Sequence, residues 1–125
     1  MKGQRKISIR FYNDREVRAV WDDENGKWWF SVLDIVGAIN EQDDYTRTRN
    51  YWKYLKTKLH NQGSELVSAT NQLKLLAADG KRYLTDVLDY NGVLMLAHNI
   101  PNRNATSFVH WFASDKDSID GKSRE

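Results

Sequence analysis

The chain has 125 residues, enough for one ordinary domain and too few for two independent cores. With 40% hydrophobic, 12% aromatic and 29% charged residues, it falls outside the disordered, collagen-like and low-complexity classes. It has no cysteine, which excludes a disulfide scaffold, an iron–sulfur cluster and cysteine-ligated zinc. No apolar run approaches the roughly 18 residues that span a bilayer, and the N-terminus alternates instead of forming a signal-peptide stretch, so a soluble, cytoplasmic domain without membrane association is expected.

In chain order, Ile7, Ile9 and Phe11 alternate with polar neighbours, Val17, Ala19 and Trp21 repeat the pattern, and Lys27-Trp28-Trp29-Phe30 reads as a third short strand. Asn13-Asp14 and the stretch from Asp22 to Gly26 supply the turns, giving a three-stranded meander. Ser31 is placed to cap a helix, with Asp34 answering as a capping-box acid, and Val32, Ile35, Val36 and Ile39 form its apolar face. An acidic stretch, Glu41 to Asp44, precedes a second helix at about 46–60, with Asp43 or Asp44 at its N-terminus and Gly63 as its stop.

Gln72 to Leu76 and Lys81 to Leu84 flank Asp79-Gly80, a hairpin signal. Thr85 or Asp86 is expected to cap a third helix through Leu88, Val93 and Leu96. Ile100-Pro101 breaks the chain, and a last helix from about Asn102 carries Ala105, Phe108, Val109 and Phe112. The expected fold class is α+β, small antiparallel sheets with about four helices, spanning 1–113. The polar tail 114–125 reads as a fraying segment that begins a linker to a C-terminal region.

Net charge is only +2, but its distribution is segregated: residues 1–18 hold six basic and two acidic residues, and the stretch from Tyr45 to Ser64 holds five basic and none acidic. On a helix, Trp52, Leu55 and Leu59 share the core stripe. Arg49, Lys53, Lys56 and His60 line its neighbour, and Arg47 and Lys58 lie on the other flank near Tyr51 and Tyr54. Such a surface suits phosphate contacts, while a solvated helix face is the plain alternative. Two helices joined by about four residues also hint at a helix-turn-helix, although the usual small residue at the turn is absent.

Trp21, Trp28, Trp29 and Phe30 suggest a base-stacking platform or, more simply, core aromatics, since Trp28 and Trp29 must face opposite ways. Enzyme signatures are thin. His60, His98 and His110 are far apart, His98 reads as a packed residue of an apolar helix, and Asp86 and Asp89 are better explained by capping and solvation than as a catalytic pair. No phosphate-cradling glycine loop or nucleophile elbow occurs, so neither catalysis nor a cofactor nor a metal is expected.

Taken in order, Trp29 through Val36, Tyr51 through Lys56, Leu73-Lys74, Asp79-Gly80-Lys81, Leu84 through Val87, Ile100-Pro101 and Phe108 through Ala113 resemble the BRO family N-terminal domain of baculovirus BRO proteins and phage or prophage antirepressors. The similarity covers about Ile7 to Ala113. It implies an α+β DNA-binding domain joined to a variable C-terminal region, acting in phage regulation. It also implies basic residues in the last helix, where this chain has only Arg103 nearby, and this shifts the expected DNA contact to the second helix.

There Arg47, Arg49, Lys53, Lys56 and Lys58 would neutralise phosphates of double-stranded DNA, and Asn50 and Thr57 would reach sugars or base edges. Lys2, Arg5 and Lys6 would add an N-terminal arm. The alternative is a protein-interaction module that contacts a repressor or self-associates, with Trp28 or Tyr54 as anchors.

Overall fold

The computed structural model describes residues 6–119, with side chains described through Ser114. In chain order the elements are β1 (Ile7–Tyr12), β2 (Arg15–Asp22), β3 (Lys27–Ser31), α1 (Val32–Asn40), α2 (Tyr45–Asn61), α3 (Glu65–Ala69), β4 (Asn71–Leu76), β5 (Arg82–Leu88), α4 (Tyr90–His98) and α5 (Asn104–Ile119). None of these helices is long and apolar enough to cross a membrane. The fold class is α+β, as expected.

The meander and the hairpin are not separate sheets. Phe30 pairs with Leu88 and Ser31 with Val87, joining all strands into one antiparallel sheet of order β1-β2-β3-β5-β4. That pairing also overturns the expected helix cap at Thr85 or Asp86: the strand continues through Leu88, and both Val87 and Leu88 are completely buried. The cap is Asp89, whose side chain accepts from Gly92 N at 3.0 Å. A short helix, α3, intervenes where none was expected, and α5 runs to Ile119, so 114–119 is helical, not a frayed tail.

Register assigns the two sheet faces. Tyr12, Val17, Ala19, Trp28, Phe30 and Leu88 share one face and pack with α1, α2, α4 and α5 in the main core, where Phe108 and Phe112 are essentially inaccessible. The opposite face holds a smaller cluster of Val20, Leu75 and Val87 flanked by Trp29 and Leu73. On that second face Ile7, Ile9 and Phe11 of edge strand β1 remain exposed. The tryptophans are structural: Trp28 is buried against Trp21 at 5.3 Å, and Trp29 donates to Asp22 beneath the Lys27 ammonium.

Candidate nucleic-acid interface

Helix α1 begins as expected, with Ser31 Oγ accepting from Asp34 N at 3.3 Å. The Asp34 carboxylate, however, does not complete a capping box. It accepts from Arg18 Nε and Nη2 at 2.8 and 3.0 Å and from Arg18 N at 2.9 Å, tying α1 to β2. Glu41 then adopts a left-handed conformation at φ 52°, and the chain turns into α2. A Cβ on Gly37 would lie 3.3 Å from Gln42 O and 3.7 Å from Thr48 Oγ1, so the bare backbone of Gly37 is what lets α1 approach the start of α2. The small residue of this helix pair therefore sits inside the first helix and not at the turn.

Of the two candidate caps, Asp44 is the one used, accepting from Arg47 N at 3.1 Å. At the far end Gly63, at φ 72°, donates to His60 O, and Ser64 N donates to Leu59 O; a side chain at Gly63 would strain this stop. Between them Thr48, Trp52, Leu55 and Leu59 are buried. At about 100° per residue, Asn50 and Thr57 point away from that stripe. Lys53 and Arg49 lie roughly 60–100° to one side, and Arg47 and Lys58 roughly 60–80° to the other.

Arg47, Arg49, Asn50, Lys53, Thr57 and Lys58 are all exposed, and none of the four cations forms an ion pair among the described residues. Arg49 lies 5.9 Å from the Tyr45 ring centre, and Tyr45 and Tyr54 are 64% and 61% exposed, adding accessible aromatic surface to the cationic arc. A shallow depression of about 630 Å³ along this face is lined by Asn50, Lys53, Tyr54, Thr57, Lys58 and Asn61.

Lys56 departs from the expected set. Its ammonium bonds Asp86 at 2.9 Å, and the same carboxylate accepts from Trp52 Nε1 and Gln72 Nε2, each at 2.8 Å. Lys56 is therefore drawn toward β5 instead of standing out with its neighbours. Burial pushes the Asp86 carboxyl up, but its hydrogen bonds from Trp52, Lys56 and Gln72 outweigh that, so its pKa lies below the ordinary 3.8. A depressed pKa gives stability that is complete above the ordinary value and lost as pH falls through the lower folded one. Thermal melts taken to progressively lower pH below 3.8 should show the wild type losing more stability than Asp86→Asn, and equal losses would remove Asp86 from the acid response.

Of the expected N-terminal arm only Lys6 is described, and it does not join this face. Lys2 and Arg5 lie outside the described residues. Lys6 lies 5.3 Å from the Trp21 ring centre, at the end of β1 remote from the β1–β2 turn. The segment preceding α2 approaches the other end, where Arg15 bonds Asp43 at 3.1 Å. A strand of this length separates the two by about 20 Å. Trp28 is buried and unavailable as an interaction anchor, whereas Tyr54 is exposed. His98 is exposed at the end of α4, not packed, and no metal-binding cluster of His, Asp or Glu occurs among the described residues.

Residues 16–117 match the profile described as BRO family, N-terminal domain. The chain belongs to the BRO family. Neither the curated proteins nor the solved structures yield a match. The BRO match begins at β2 and runs into α5, so it includes α2 and the β4–β5 hairpin but not β1. The arc on α2 thus belongs to the BRO domain proper, whereas Lys6 and the exposed residues of β1 lie outside the matched segment.

Proposed function

We propose that this BRO domain binds double-stranded DNA, with little or modest sequence preference, as part of a phage- or prophage-type antirepressor-like regulator, and that it has no catalytic role. The observation that carries this reading is the exposed face of α2: cations that form no ion pair among the described residues flank a neutral polar ridge. A major groove about 12 Å wide admits a helix, and its phosphate ridges then lie on either side. Arg49 and Lys53 serve one ridge, Arg47 and Lys58 the other, while Asn50 and Thr57 face the base edges. The basic residues expected in the last helix are not needed in this arrangement.

Each neutralised phosphate adds about −0.9 to the slope of log affinity against log salt, so four contacts give roughly −3.6. Affinity for a random duplex should therefore fall on the order of 100-fold between 50 and 200 mM salt. A flat salt response or no low-salt binding would remove the reading. The second reading, self-association, has its own observation: Ile7, Ile9 and Phe11 are exposed on an edge strand with unpaired backbone. Light scattering on the same samples separates the two, because self-association without duplex binding leaves only the second.

A further inference from the structure

The β4–β5 hairpin carries basic residues that the reading of α2 leaves unused. Lys74 and Arg82 are exposed and form no ion pair among the described residues. The register pairs Gln72 with Asp86, Lys74 with Leu84 and Leu76 with Arg82, so these side chains share one face of the hairpin. Bonds to Asp86 from Trp52 and Lys56 show that this is the face turned toward α2. The two bonds tie the Asp86 end of the hairpin to the middle of α2.

Among α2, α3 and the base of the hairpin lies an open depression of about 600 Å³, with Lys56, Thr57 and His60 on the α2 side and Asn71, Gln72 and Asp86 on the hairpin side. Its one lining carboxylate, Asp86, is neutralised by Lys56 and further bonded by Trp52 and Gln72. The acid at the hairpin tip, Asp79, is occupied by Lys81 N and the Tyr83 hydroxyl. Beyond this lining, Arg49 and Lys53 stand exposed on α2, and Lys74 and Arg82 stand exposed on the hairpin face that carries Asp86.

We propose that the hairpin is the second wall of the DNA site: with α2 in the major groove, Lys74 and Arg82 contact the phosphate backbone bordering that groove on the Arg49–Lys53 side. Lys74 and Arg82 are diagonal neighbours about 7–8 Å apart at the backbone, so they meet nearby phosphates of a single strand. The inference rests on the reading of α2 as a duplex-binding helix and extends it to an element of different sequence.

The test uses the whole chain and a random duplex over a series of salt concentrations, with thermal melts to confirm folding. Lys74→Gln with Arg82→Gln should weaken low-salt binding at least tenfold and flatten the salt slope by nearly two. Lys6→Glu, which changes net charge equally on the far edge strand, should leave both nearly unchanged. If the hairpin pair has no effect while charge reversal on α2 abolishes binding, the hairpin is excluded and the helix stands. If the hairpin pair weakens binding while α2 reversal does nothing, the helix reading fails and this placement of the hairpin beside the groove is overturned with it. An equal loss from Lys6→Glu overturns the proposal in favour of a general charge effect, and a wild-type chain that binds no duplex overturns both.

Discussion

Lys53→Glu combined with Lys58→Glu should weaken duplex binding by at least two orders of magnitude at low salt while leaving the melting temperature nearly unchanged. The two residues sit on opposite flanks of α2, so reversal places a negative charge against each phosphate ridge at once. Each change removes a counterion-releasing contact and adds a repulsion that low salt does not screen. Stability is spared because both side chains are exposed and neither has an ion-pair partner among the described residues.

Lys56 would be a poor choice for this experiment despite lying in the same basic run. Lys56→Glu would set a carboxylate beside Asp86, and any loss of binding would be confounded with loss of fold. A gel shift and a thermal melt on the double variant decide the matter: undiminished binding by a folded protein would exclude α2 as the DNA surface.

The largest effect on stability is expected from Asp34→Ala. The Arg18 guanidinium bonds both Asp34 oxygens through Nε and Nη2 and reaches Leu76 O through Nη1 at 3.0 Å. The two side chains are only 23% and 15% exposed, and the backbone N–H of Arg18 also depends on the same carboxylate. Removing Asp34 strands a partly desolvated cation and a backbone donor. It also releases a three-way tie between β2, α1 and the end of β4.

Breaking a fully buried pair costs about 3–5 kcal/mol, and the residual exposure places this one at the lower end, about 3 kcal/mol or roughly a 10 °C fall in melting temperature. Arg18→Met together with Asp34→Leu should recover part of that loss, because the unpaired charge is then gone. Arg18→Lys should not substitute well, since an ammonium lacks the fork that meets both oxygens. Urea unfolding of the three variants checks the ordering, and a double variant no more stable than Asp34→Ala would show that the stranded charge is not the source of the loss.

Several features were legible in local sequence because their causes are local. The period-2 alternation around Ile9 and Val17, the Ser31 cap, the Asp44 cap and the Gly63 stop each depend on residues within a few positions of one another. The solvent-facing arc of α2 was also readable, since Trp52, Leu55 and Leu59 fix which side of a 3.6-residue helix is buried.

Tertiary contacts decided the rest. The segment Thr85–Leu88 resembles a helix start until Leu88 and Val87 pair with Phe30 and Ser31, residues more than fifty positions earlier. Lys56 belongs to the basic run in sequence and to Asp86, 30 residues away, in space. The alliance of the hairpin with α2 and the separation of Lys6 from it both follow from strand order. Neighbouring residues set which conformations the backbone prefers and which side of an element is apolar, whereas the pairing of distant strands determines where each charge finds its partner and which cations remain exposed.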